Sequence, residues 1–271
     1  MEAYFVADGA TFVPTDYARG PWSPEFLHGG PPAALMARAG AEALARAADA
    51  GPEAFQLARL TIELLRPVPF GPLSVRAEVV GSPPGRVVRR VRVTLGDGER
   101  VVAEGLAVGV RRVPLALPAA AFGAAPTDAP GAVEAAAPFD LCMELQAFGY
   151  ARSIEVRLAK GRIRESAVCM WMRPRVALVA GEAPSQLTQL ERVFVCADSG
   201  SGVSQMLDPA TFSFLNADLD VQLLRDPVGD WVCLDARTIV GASGIGVAES
   251  RLWDVVGAFG SVRQTLVLRA K

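Results

Sequence analysis

Apolar and polar positions along the chain follow one pattern, and it occurs twice. After Gly29-Gly30 the stretch PPAALMARAGAEALARAAD is small or apolar at nearly every position, with Arg38, Glu42 and Arg46 spaced four apart. Residues four apart share one helix face, and a helix with so narrow a polar stripe is buried over most of its circumference. Proline in the first turn and alanine throughout favour this helix, over about residues 31–48. The runs LTIELLR, LSVRAEVV, VVRRVRVTL and RVVAEGLAVGV follow, β-branched and partly alternating, as strands do. Asp97-Gly98 is a hairpin-turn signal.

The second half repeats the theme. Thr188-Gln189-Leu190-Glu191 is a capping box opening a helix over about 188–205. The runs DLDVQLLR, WVCLDARTIV, GIGVAESRLWD and SVRQTLVLR then read as strands. Leu64-Leu65-Arg66 falls on Leu223-Leu224-Arg225 at an offset of 159, which also carries Gly98 onto Gly257. Between the halves, VPLALPAAAFGAAPTDAPGAVEAAAP contains five prolines and resists both helix and sheet. These features predict a duplicated α+β unit with a pseudo-two-fold axis: residues 1–112, a linker at 113–138, and residues 139–271. In each unit an antiparallel sheet wraps the helix that its apolar face must cover.

Composition narrows the chemistry. The chain is 51% hydrophobic and 21% charged with net charge −2, a soluble globular mix without a long basic run, which argues against nucleic acid. The densest basic cluster, Arg86, Arg89, Arg90 and Arg92, reads as a solvated strand or turn, with a phosphate contact as the alternative. No run approaches the ~18 apolar residues of a membrane span. The amino terminus lacks the features of a signal peptide. Four dispersed cysteines do not make a disulfide framework, so the expected compartment is the cytoplasm. A single histidine and no C-x-x-C spacing argue against zinc. No P-loop, dinucleotide fingerprint or G-x-S-x-G elbow occurs, and no cofactor is expected.

His28, Gly29 and Gly30 precede the first helix. Free N–H groups at a helix start bind carbonyl oxygens or anions, and glycine allows close approach. They are therefore expected to contact substrate; the alternative is a tight turn with an ordinary histidine.

The fragments WSPEFLHGGPPAALMARA, RLTIELLRPVPFGPLSV and NADLDVQLLRDPVGDWVCLDARTIVGASGIGVAESRLWDVVGAFGSVRQTLVLR resemble the acyl-CoA thioesterase II family, in its thioesterase-like, double-hotdog branch, over roughly residues 20–112 and 185–271. The resemblance implies two hotdog units with sheets joined edge to edge, acyl-CoA as substrate, and hydrolysis to free CoA and a carboxylic acid. Its Asp, Ser/Thr and Gln, which hold the hydrolytic water, carry over to Asp218, Thr238 and Gln264, with Leu219 where the best-known members have histidine.

Thioester hydrolysis needs a proton acceptor for water and donors for the developing oxyanion. An Asp in a strand rich in leucine and valine is unusual unless paired. Asp218 is thus expected as base, converging with Thr238 and Gln264 on one water near a helix start. Its alternative is a carboxylate satisfied by backbone or by Arg225, and Asp220, on the same strand face, is the rival base. Arg59 and Gly105, at the matching offset in the first half, cannot do this chemistry, so one active site per chain is expected. A place in fatty acid metabolism and a homo-oligomer are also expected. A hotdog hydratase acting on enoyl-CoA and a catalytically silent acyl-binding protein are the competing functions.

Overall fold

The computed structural model describes residues 2–46, 54–81, 85–118, 121, 128–141, 148–182 and 187–271. The elements in chain order are β1 (Ala3–Asp8), β2 (Thr11–Pro14), α1 (Gly30–Arg46), β3 (Phe55–Leu64), β4 (Ser74–Val80), β5 (Val88–Asp97) and β6 (Arg100–Arg111). There follow β7 (Ala137–Phe139), α2 (Gly149–Ser153), β8 (Ile154–Lys160), β9 (Ala167–Pro174), β10 (Ala177–Val179), α3 (Gln189–Ala197) and α4 (Gly200–Val203). The chain ends with β11 (Phe212–Asn216), β12 (Asp218–Leu223), β13 (Val232–Val240), β14 (Ile245–Trp253) and β15 (Ala258–Ala270).

The sheets of the two halves meet edge to edge. Together they form one continuous antiparallel sheet of twelve strands, in the order β4-β5-β6-β3-β12-β15-β14-β13-β9-β8-β7, with β11 also on β15. A small second sheet, β10-β1-β2, stands apart. The two halves meet at β3 and β12, whose register pairs Leu60 with Val221, Thr61 with Asp220 and Ile62 with Leu219. The sequence offset of 159 carries 60 to 219 and 62 to 221, so exchanging the halves leaves this register unchanged. A local two-fold axis therefore passes through the Thr61–Asp220 pair, where Thr61 Oγ1 donates to Asp220 Oδ1 at 2.5 Å.

The pairing also settles faces. Along β12, Leu219, Val221 and Leu223 are buried, while Asp218, Asp220 and Gln222 turn to the outer face. α1 covers the inner face of β3–β6, and Gly40 allows close approach: a Cβ there would lie 3.3 Å from Ala107 Cβ and Val93 Cγ2. Of the charged stripe on α1, Arg46 and Glu42 pair in solvent, whereas Arg38 reaches across to the second half. It donates to Glu191 Oε1 at 2.5 Å and to both oxygens of Glu182. Glu191 is the third residue of α3 and closes the Thr188 capping box, as its spacing predicts.

The helix expected over 188–205 is broken. α3 ends at Ala197, Asp198 and Ser199 form a turn, and the short α4 begins at Gly200. The expected first helix extends to 48, and residues 47–48 lie outside the described residues, as do 119–120 and 122–127 of the expected linker. The described end of that linker crosses the outer face of the second half, where Val133 and Ala136 pack with Trp171, Trp231 and Trp253. In the basic cluster, Arg89 is buried with its guanidinium 4.3 Å from the Phe55 ring, while Arg86, Arg90 and Arg92 are exposed. No helix of the described residues is long and apolar enough to cross a membrane.

Candidate active site

Three segments converge under the joined helices: the start of α1, the turn between α3 and α4, and the inner faces of β11 and β15. Asp198 occupies the turn, only 8% exposed. At Gly200, which follows the turn, a Cβ would stand 2.9 Å from both Gln264 Oε1 and Ser250 Oγ, so a larger residue would displace these side chains.

Gln264, 1% exposed, ties the turn down. Its Oε1 accepts from the Ser201 backbone N–H at 3.0 Å. Because the oxygen is thus assigned, the amide nitrogen must face Asp198, where it donates to the carbonyl at 3.1 Å and to Oδ1 at 3.2 Å. Asn216 Nδ2 donates to the same Oδ1 at 2.7 Å, and Ser201 Oγ fixes its flip by donating to Asn216 Oδ1 at 2.9 Å. Two neutral amides therefore hold one carboxylate oxygen. The other, Oδ2, accepts no hydrogen bond among the described residues.

Oδ2 faces the start of α1. A Cβ on Gly29 would lie 2.7 Å from it, and one on Gly30 would lie 2.1 Å from the Val195 carbonyl oxygen, so glycine at both positions is a packing requirement. His28 Nδ1 is 3.4 Å from Oδ2, yet accepts from the Gly30 N–H at 3.1 Å. An Nδ1 that accepts carries no proton. Burial lowers the basicity of this imidazole and outweighs the opposing pull of Asp198. The ring is therefore neutral, with its proton on Nε2, and the contact with Asp198 is not an ion pair. The ring stacks on Tyr150 at 3.6 Å and 3°. Tyr150 donates to the Val195 carbonyl at 2.8 Å and meets Ser199 Oγ at 2.8 Å. Burial pushes both the Tyr150 phenol and the nearby Cys196 thiol well up, so neither ionises near neutral pH.

Beyond Gly29 and Asp198 lies a tight apolar slot with room for about one water molecule. Pro32, Ala33 and Met36 of α1 form one wall, and Ile62, Leu95 and Leu219 lie among the residues of the other.

The residues expected from sequence are separated. Gln264 lies in this cluster. Asp218 does not: it is on the outer face of β12, and Oδ1 accepts from the Thr265 backbone N–H at 2.7 Å. β15 pairs with β11 up to Leu266 and with β12 from Arg263, so Thr265 sits where its partner strand changes. Asp218 supplies the acceptor that the interrupted ladder lacks, which is the backbone-satisfied alternative for this residue. Asp220, the rival, is on the same outer face, bound to Thr61 and to Gln222 Nε2 at 3.4 Å. Thr238 is buried on the inner face but pairs with Ser204 Oγ at 2.7 Å, lining a second apolar space under α4 with Leu266 and Phe214. The expected convergence of Asp218, Thr238 and Gln264 is thus corrected: alternation along β12 turns Asp218 away from Gln264. His28, Gly29 and Gly30 do border the cluster. Sequence reasoning missed Asp198, Asn216 and Ser201; the available signal was a lone Asp closing the apolar run VFVCA ahead of Ser-Gly-Ser-Gly.

The family of acyl-CoA thioesterase N-terminal domains matches residues 18–109, and that of acyl-CoA thioesterase C-terminal domains matches residues 124–268. The chain belongs to the acyl-CoA thioesterase family. Solved structures agree on the fold. A protein described as a thioesterase II from Thermobifida fusca YX superposes with a TM-score of 0.73 at 17% identity, covering 98% of this chain and 94% of that one. A hot dog fold protein from Alicyclobacillus acidocaldarius gives 0.69 at 17% identity, over 98% and 96%. An acyl-CoA thioesterase II from Mycobacterium marinum gives 0.59 at 16% identity, over 91% and 90%. At these identities the likeness is one of fold, the hotdog. No curated protein matches the chain.

Proposed function

We propose that this thioesterase-family chain hydrolyses acyl-CoA thioesters to CoA and a carboxylic acid, with Asp198 as the base that activates water. The observation that carries the reading is the division of labour within Asp198. Oδ1 is held by Asn216 and Gln264, while Oδ2 faces an apolar slot beside the start of α1. Water bound to Oδ2 gives up a proton as its oxygen attacks the thioester carbonyl; the C–S bond then breaks, and the proton passes to the departing thiolate. The Gly29 N–H, which makes no hydrogen bond among the described residues, is the donor for the carbonyl oxygen. Gln264 orients the base and does not act on water, a different role from the one the family resemblance implied. Division into two hotdog units around a linker at 113–138 belongs to the same proposal.

The test is CoA release from a panel of acyl-CoAs. Loss of a general base costs ~10²–10⁴-fold in rate, so Asp198→Asn should lose that much, while Asp218→Asn keeps the wild-type rate to within a few-fold. Near-normal turnover by Asp198→Asn would overturn the assignment. The 3.4 Å approach of His28 to Asp198 favours one second reading, water addition to an enoyl-CoA, because it brings a histidine from the first half to a carboxylate in the second. Consumption of enoyl-CoA without CoA release distinguishes it.

A further inference from the structure

Two cysteines meet on the outer face of the second half. In the pairing of β9 with β13, Cys169 lies opposite Asp235 and Cys233 opposite Trp171, so the cysteines are diagonal neighbours. Their side chains turn toward each other and bring the Sγ atoms to 3.3 Å. Both are free thiols, buried at 2% and 0% exposure. Trp171, Trp231 and Trp253 pack with them, and Val133 and Ala136 from the end of the linker complete the cover. Between Asp128 and Ala136, three side chains of the sheet hold this cover among the described residues. Arg157 Nη1 donates to the Val133 carbonyl at 3.3 Å, Lys160 Nζ donates to the Asp128 carbonyl at 2.6 Å, and Arg251 Nη1 lies 3.6 Å from Asp128 Oδ1. The Nε1–H groups of Trp171 and Trp253 are buried without an acceptor, so neither indole adds a hydrogen bond to the cover.

We infer that Cys169 and Cys233 are a reversible redox pair, closed to a disulfide by hydrogen peroxide when the linker end lifts and reopened by a dithiol. The chemistry runs in two steps. A thiolate attacks one peroxide oxygen, the O–O bond breaks, and a sulfenic acid and water form. The second sulfur then attacks the first, the S–S bond forms, the S–O bond breaks, and a second water leaves. The two thiols lose two electrons and two protons, and the peroxide takes both. The geometry supplies the second step, because the partner sulfur already stands in contact. A disulfide spans ~2.0 Å, so the sulfurs close by ~1.3 Å from their present separation. The first step needs a thiolate. Burial pushes the Cys233 thiol well up, so the pair is inert under its cover and the linker end governs the rate. The bridge joins positions 64 apart. The loop it closes carries α3, Asp198, α4 and β11, and so holds the turn that presents Asp198. Cross-linking a loop of that length restricts the unfolded chain and stabilises the folded one.

The test exposes the reduced full-length protein to hydrogen peroxide and maps its peptides by mass spectrometry without reduction. A peptide joining Cys169 to Cys233, two hydrogens lighter than the two thiol peptides together, should appear and should vanish on treatment with dithiothreitol. Oxidation should raise the thermal unfolding midpoint by about 5–10 °C. It should not do so in Cys169→Ala, whose own cooperative transition shows that it is folded; the peptide map of wild type decides the matter if that variant is not. Arg157→Leu combined with Lys160→Met loosens the cover and should form the bridge about tenfold faster, the loss expected from two hydrogen bonds. No Cys169–Cys233 peptide in either wild type or the loosened variant overturns the proposal. Sulfinic acid on one sulfur without the bridge, or a bridge that forms only in urea, overturns it as well. A bridge that forms at the same rate in wild type and in the loosened variant refutes control by the linker end.

Discussion

Gln264→Glu places a carboxyl where an amide now donates to Asp198. The side chain keeps its shape, and its other oxygen can still accept from Ser201 N–H. Protonated, the introduced carboxyl donates to Asp198 Oδ1 as the amide does. Ionised, it faces a like charge at 3.2 Å in a site 1% exposed. Two unit charges at that distance repel by ~5 kcal/mol at an effective dielectric of 20, which raises the pair's upper pKa by ~4 pH units. The folded state then binds a proton that the unfolded chain releases near pH 4.3, so stability relative to wild type is retained below that value and lost as pH rises through the raised one. Urea unfolding should show a deficit of about 1 kcal/mol at pH 5, growing to about 5 kcal/mol by pH 8. Burial alone also raises a carboxyl pKa, and a double-mutant cycle separates the two causes. In an Asp198→Asn background most of the pH-dependent deficit should disappear; in an Asp218→Asn background it should persist. An equal deficit in all three backgrounds would refute the pairing of Gln264 with Asp198.

Arg38→Leu leaves Glu191, 2% exposed, without its guanidinium partner. It should lower unfolding free energy by about 3 kcal/mol, and adding Glu191→Gln should recover part of the loss; an unchanged urea midpoint contradicts the link between α1 and α3. His28, held neutral by burial, binds fewer protons folded than unfolded, so its contribution to stability is present above the unfolded value of about 6.5 and is lost as pH falls below it. Melting temperature between pH 7.5 and 5 should therefore fall more steeply for wild type than for His28→Asn, whose side-chain oxygen can still accept from Gly30; parallel curves would show His28 already free to charge.

The legible part of the site was the part written in local pattern. His28-Gly29-Gly30 ahead of an alanine-rich helix predicts a helix start, and α1 begins at Gly30, with Gly29 and Gly30 packed against Asp198 and Val195. Gln264 was found through the family resemblance. Asp218 was expected beside Gln264, because sequence shows that a carboxylate lies in a strand but not which face it takes or what its backbone neighbours lack. A strand shifted by one residue turns every side chain over. Here the answer depended on β15 exchanging β11 for β12 as its partner at Thr265, a long-range event with no local signature. Asp198 escaped notice for the opposite reason: the capping box and apolar run predict a helix through it, whereas the helix ends at Ala197 and Asp198 lies in a turn that Gln264 holds from a distant strand.

By itself the sequence determined the repeated helix-and-strand plan, the offset between its copies, the capped start of α3 and the buried face of α1. These follow from periodicity and from side-chain chemistry within a few residues, and periodicity survives without knowledge of partners. Only the tertiary structure decided that the halves form one twelve-stranded sheet through β3 and β12, and that Arg38 reaches Glu191. It alone brought the turn of one half against the helix start of the other, making Asp198 the carboxylate at Gln264. Contacts of that kind join residues about 150 to 170 positions apart, and which partners meet is set by packing the whole sheet under its helices.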